Sequence, residues 1–307
     1  MNSLRSLWNS TFFTNESPWM MRGVRVVLAV QALWLLLSRP DIPALVTWPR
    51  AFFSSVPPAR ALRFGIGLFP ASVEWGMFAL LHIVLLAIIF GRFTRINSAI
   101  AGLLLYHFAP FEEIIAGMPH TFFGGLTVPA VGLLILSVAV RVPREATKWS
   151  AEYRWPVALI QLLFSFNYFC AALAKFRFSH ISWFTGENIR RWLVENWAVT
   201  TPPWSLRVAA SPFLCWTIAL ATLFLETLFP LCVVSRTARR ILVPLAFLGH
   251  IGIVYTLGIT FPSILLLLLF VNWDWVALRL HRAPRGDEDR GGPPAQRDQE
   301  LDGTAPA

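Results

Sequence analysis

Of 307 residues, 56% are hydrophobic and only 14% charged, and the mean hydropathy is +0.57. That balance excludes an ordinary soluble domain, and uninterrupted apolar runs point to an integral membrane protein with several spans. The formal charge of +9 does not indicate a nucleic-acid partner, because the 26 basic residues are scattered at the ends of apolar runs, where topology signals lie.

Met1–Met21 has no compact apolar h-region, so no cleaved signal peptide is expected and the first span, Gly23–Ser38, stays in the protein. Residues 39–67, with prolines and Trp48, Phe52 and Phe53, read as an interfacial segment. The second to fourth spans are expected at Ala71–Gly91, Ile96–Phe111 and Thr121–Val140, with Pro110 near the end of the third. Pro156–Phe176 is the fifth. Ile181–Trp197 alternates aromatics and charges and reads as an amphipathic helix in the membrane surface. The sixth, seventh and eighth spans follow at Pro212–Val234, Ile241–Leu257 and Phe261–Val276. Pro230 is expected to kink the sixth or to leave a carbonyl free at the depth of Glu226.

The fold class is therefore all-α: a polytopic transmembrane bundle of about eight spans with interfacial helices, forming one domain over residues 1–282. The tail, 283–307, is rich in Pro, Gly and charge and is expected to be disordered and cytoplasmic. With eight spans, about two thirds of the basic residues fall on the side holding both termini. The positive-inside rule then places both termini in the cytoplasm of a bacterial inner membrane, and Lys175 outside.

Span five organises the candidate site. Gln161, Tyr168 and Lys175 are spaced by seven, and a helix drifts only ~20° per heptad, so the three share one narrow face. Polar groups in lipid need partners, so this face is turned toward protein or a water-filled cavity. At ~1.5 Å per residue, Lys175 lies at the outer rim, with His107, Glu112, Glu113 and His120 near it. Glu226, His250, Tyr168 and Asn167 form a deeper layer, in which Glu226 and His250 are able to pair. The same arithmetic separates Glu226 from Lys175 by roughly 20 Å, so these two are not expected to touch. A mid-membrane carboxylate costs at least ~2.5 kcal/mol on insertion scales and marks a functional position by default. Bracing between helices is the structural alternative for Glu226 and His250, and snorkelling to the headgroups for Lys175. Cys170, Cys215 and Cys232 read as buried structural thiols, and no metal, phosphate-loop or dinucleotide motif is present.

The run Asn167-Tyr-Phe-Cys-Ala-Ala-Leu-Ala-Lys175, followed by Trp183-Phe-Thr-Gly186, resembles the lysine segment of the vitamin K-dependent gamma-carboxylase family. It equally resembles that family's bacterial relatives, the HTTM (horizontally transferred transmembrane) domain proteins. Glu226-Thr-Leu-Phe-Pro230, Phe247-Leu-Gly-His250 and Ile259-Thr-Phe-Pro262 match later segments in order and spacing. The resemblance covers roughly residues 15 to 280. It implies Lys175 as the base that deprotonates a reduced quinone at the outer face, and His250 and His120 as the family's histidines. A carboxylase histidine after the fourth span has no counterpart in Leu136–Arg141. The family's large β-rich lumenal region also has no counterpart after the spans, so carboxylation of protein glutamates by this chain alone is not expected.

Two functions remain open at this level. One is enzymatic, with Lys175 as base toward a quinone-like or isoprenoid substrate and His120 and His107 as proton acceptors. A soluble partner protein would then supply what the missing region does. The other is a transport or scaffold module in which Glu226 and His250 relay a proton or brace helices.

Overall fold

The computed structural model describes residues 2–48, 69–115, 125–143, 145–178, 180–259 and 261–281. Among these the architecture is an all-α bundle, and the sole β-type contact is an isolated bridge between Glu16 and Ser150. The helices are α1 (Asn2–Phe12), α2 (Pro18–Ser38), α3 (Ala71–Ile89), α4 (Thr94–Ile115), α5 (Thr127–Val138) and α6 (Arg154–Phe178). They continue with α7 (Glu187–Thr200), α8 (Ser205–Ala209), α9 (Pro212–Leu228), α10 (Leu231–Val234), α11 (Arg236–Leu257) and α12 (Trp273–His281). Short 3₁₀ segments occur at Ile42–Thr47, Ala151–Tyr153, His180–Trp183 and Pro262–Phe270.

Local sequence sets several of these starts. Ser17, Ser211 and Ser235 each accept a hydrogen bond from a backbone N–H in the first turn that follows, capping α2, α9 and α11. Pro18 and Pro212 occupy the first helical position, where no N–H is needed. Pro230 breaks the sixth expected span into α9 and the single turn of α10, as its missing N–H requires. Pro110 acts differently from expectation. It lies inside α4, which continues past it to Ile115.

The last expected span also differs. It is a nine-residue 3₁₀ run from Pro262 to Phe270, a break, and then α12. The break is held by Asn272, whose side-chain oxygen accepts from the amides of Asp274 and Trp275. Such long 3₁₀ runs are uncommon, and this one is tied down from outside. The Leu269 carbonyl accepts from Gln161 at 2.8 Å and the Leu268 carbonyl from Trp273 Nε1 at 3.1 Å.

Among the described residues four helices are long and apolar enough to cross a membrane: α2, α3, α6 (with its 3₁₀ lead-in from Ala151) and α11; α5 and α9 are shorter apolar helices. Large apolar side chains point outward, among them Ile83, Leu103, Phe213, Phe224 and Leu248. This is compatible with a multi-pass membrane protein in a lipid bilayer. The main core gathers α2 to α6, α10 and the Pro262–Phe270 segment, with Leu28, Leu81, Leu105, Phe108 and Phe164 almost fully buried. A second, smaller core joins Trp183, Ile189 and Leu193 to Ala209, Cys215, Leu223 and Leu257. It caps the end of the bundle that carries Lys175. Residues 49–68, His120 and the tail 283–307 lie outside the described residues.

Candidate functional site

Helix α6 carries a polar seam along its whole length. Arg154, Gln161, Tyr168 and Lys175 follow one another at intervals of seven, so the seam spans about 32 Å of helix. Each rung finds its partner on a different element. Arg154 is buried; its Nε donates to the Thr11 carbonyl at 2.7 Å, and its Nη1 pairs with Glu16 at 3.0 Å. Gln161 reaches the Leu269 carbonyl. Tyr168 Oη and His250 Nε2 share a hydrogen bond of 3.2 Å. Lys175 Nζ donates to both oxygens of Glu226, at 2.5 and 2.7 Å.

The Lys175–Glu226 contact overturns the depth arithmetic. That arithmetic started every helix at the same membrane plane, and α9 does not start there. Its first turns belong to the second core, and Gly186, with φ +76°, lies directly against Cys215 and Trp216. From Gly186 back to Lys175 is the same number of residues as from Cys215 on to Glu226. Gly186 against Cys215 and Lys175 against Glu226 are thus two contacts between the same two stretches of chain, eleven residues apart along each. A Cβ on residue 186 would come within 2.5 Å of the Trp216 amide nitrogen, so glycine is required by both its backbone angle and its neighbour.

Aromatic rings wall the two upper rungs. The Lys175 ammonium stands 5.0 Å from the centroid of the buried Trp183 ring, a cation–π contact. Tyr168 stacks on Phe229 at 4.1 Å, and His250 stacks on Phe261 at 5.7 Å. The side chains of Lys175 and Glu226 keep 17% and 12% of their surface accessible. They are shielded enough to strengthen the pair and open enough to be reached. A lysine held by two carboxylate oxygens is an ammonium, so the unit offers a fixed cation, a proton-accepting carboxylate and flat apolar surfaces.

The expected residues sort unevenly. Tyr168 and His250 do meet. Glu226 and His250 are not paired, because Lys175 occupies the carboxylate and Tyr168 the imidazole. Asn167 is half-buried beside the seam and no hydrogen bond ties it to either pair. His107 is buried elsewhere, between α3 and α4, donating through Nε2 to both oxygens of Glu74 at 2.9 and 3.1 Å. Phe69, Phe108 and Phe111 surround its ring. His120 lies outside the described residues, as do the side chains of Glu112 and Glu113. All three cysteines are free thiols; Cys215 and Cys232 are buried and Cys170 partly so.

Sequence reasoning missed Arg154 and Glu74, and it read Trp183 as part of the resembling segment without placing its ring on Lys175. Arg154 sits one heptad before Gln161, so the interval of seven was the available signal. Glu74 was visible as a carboxylate inside an apolar run, the same insertion-cost argument that singled out Glu226. Comparison of the chain with protein-family models, with characterised proteins and with solved structures returns no match.

Proposed function

We propose that this chain is a membrane protein of the HTTM or gamma-carboxylase-like type. In this reading its Lys175–Glu226 pair exchanges a proton with a quinone-like or isoprenoid molecule arriving from the lipid at the outer face. The observation that carries the reading is the two-oxygen contact of Lys175 with Glu226 beside Trp183. The pair holds one labile proton, on the ammonium. A phenolic or enolic O–H brought against it gives its proton to the carboxylate. The products are a carboxylic acid and an oxyanion, and the ammonium stabilises the oxyanion by charge-assisted hydrogen bonding. Glu226, rather than His107, is then the acceptor beside the lysine, and Tyr168 with His250 forms a second proton-holding pair one heptad away. The stacked rings of Tyr168, Phe229, His250 and Phe261 suit a flat ring, and the lipid-facing helices suit its apolar tail. Both termini would be cytoplasmic in an inner membrane.

The test is mass spectrometry of lipids extracted from purified wild type, Lys175→Ala and Glu226→Gln. Quinone or isoprenoid retained by wild type and lost from both variants supports the reading. No such molecule in the wild-type extract removes its main support.

A second reading, proton transport, is favoured by the length of the seam and by one more observation. Gln31, Gln161 Oε1 and Ser165 Oγ are buried without hydrogen-bond partners. They lie on α2 and α6, where waters meeting them would extend the polar path. Proton flux out of acid-loaded proteoliposomes, abolished by Tyr168→Phe with His250→Leu, would favour transport over exchange. A wild type as tight as empty liposomes would end that reading.

A further inference from the structure

At the opposite end of the bundle from Lys175, a cleft opens between α2, α4 and the segment that follows α5. Three arginines converge on it from three elements: Arg25, Arg95 and Arg141. Arg95 is oriented by donation from its Nε to the Ser137 carbonyl at 3.1 Å, which also ties α4 to α5. The Arg25 guanidinium reaches the turn between α3 and α4, lying 3.4 Å from where a Cβ on Gly91 would be. The hydroxyl residues Thr94 and Ser98 line the cleft as well, on the first turns of α4, where the helix dipole is positive. No carboxylate lines it among the described residues. Its remaining walls are apolar: Met21, Leu136, Val140 and Val142. Just outside, Phe93, Ile96 and Val138 are among the most exposed apolar side chains of the protein.

Charge and the chemistry of the lining together point to the ligand. Three guanidiniums with hydroxyl donors and no carboxylate select a phosphate, because the guanidinium fork matches phosphate oxygens. Apolar walls continuing onto a lipid-facing surface select a phosphate that carries acyl chains. A soluble phosphate would gain nothing from Leu136, Val140 or the exposed Phe93. Basic pockets between membrane helices at the cytoplasmic side suit anionic headgroups for this reason. We infer that this cleft is a binding site for the phosphate of an anionic glycerophospholipid, with its acyl chains along α4 and α5. The site is separate from the Lys175–Glu226 pair and stands whether or not that pair is catalytic.

The experiment is native mass spectrometry of the full chain in neutral detergent, titrated with phosphatidylglycerol, with phosphatidylcholine, or with inorganic phosphate alone. Wild type is expected to retain phosphatidylglycerol in preference to phosphatidylcholine. Arg95→Gln with Arg141→Gln should weaken that retention at least tenfold, since each charge-assisted hydrogen bond lost is worth roughly a factor of ten. Val140→Glu, which keeps all three arginines but puts a carboxylate in the cleft, should weaken it similarly. Arg207→Gln, near the other end on Trp204, should leave it unchanged. Equal retention of both lipids, or wild-type retention by both cleft variants, overturns the inference. So does capture of inorganic phosphate with no added affinity for the lipid, which would assign the arginines to a soluble anion.

Discussion

Removing one member of the Lys175–Glu226 pair should damage the fold more than removing both. Glu226→Leu strands an ammonium beside the Trp183 ring, and Lys175→Met strands a carboxylate at the same place. Breaking a buried pair from one side costs about 3–5 kcal/mol, whereas replacing both ions by apolar groups of similar size is often neutral. The side chains keep 17% and 12% exposure, so the lower end applies, about 3 kcal/mol for each single variant. At 2–4 °C per kcal/mol, that lowers the midpoint of thermal unfolding by about 6–12 °C. The double variant should return to within about 1 kcal/mol of wild type, a coupling of about 5 kcal/mol between the two sites. The assay is thermal unfolding in one fixed detergent, followed by far-ultraviolet circular dichroism. Single-variant losses that simply add in the double variant would refute the claim that these two charges answer each other.

The remaining predictions address other parts of the structure. Gly186→Ala combines a left-handed backbone with a Cβ 2.5 Å from the Trp216 amide nitrogen. It should cost at least about 1–2 kcal/mol, seen as lower folded yield and faster proteolysis between α6 and α9. His107→Leu leaves the buried Glu74 carboxylate with the Phe69 amide as its one remaining donor among the described residues and should lower the unfolding midpoint, and Glu74→Leu added to it should restore much of the loss. Tyr168→Phe keeps the stack on Phe229 but loses one hydrogen bond, costing about 1 kcal/mol. Its clearer readout is faster modification of His250 by an imidazole-directed acylating reagent. Gln161→Leu frees the Leu269 carbonyl, so amide exchange across Pro262–Phe270 should rise while exchange in α3 stays fixed.

What the sequence made legible was governed by period and by length. The helices came through because apolar runs of span length, closed by proline and arginine, leave little other choice. The seam on α6 came through in part, because an interval of seven is a statement about one helix and needs no partner. Pairing between helices did not come through. Lys175 was assigned to the rim and Glu226 to the interior because each was measured from its own helix end. The packing of α9 against Gly186 is a tertiary contact, which sequence arithmetic does not contain. Arg154 was read as a topology charge, since a basic residue at a span boundary usually is one. The 3₁₀ run was hidden for a different reason. Ile264 to Phe270 is apolar at every position, so no periodicity distinguishes three residues per turn from 3.6.

The seam also orders events during synthesis. Arg154 can be satisfied at once, because Glu16 and Thr11 have already been made. The partners of the other three rungs arrive later, at separations of 51 residues for Lys175, 82 for Tyr168 and 108 for Gln161. Helix α6 therefore enters the bilayer with one satisfied rung and three open ones. It closes from the Lys175 end downward as α9, α11 and then the final segment are delivered. Until that last segment emerges, Gln161 lacks its Leu269 partner, so the partial bundle is expected to be held by insertion machinery or a membrane chaperone. Chains cut anywhere between residues 178 and 269 should be held there and degraded rather than released as partial bundles.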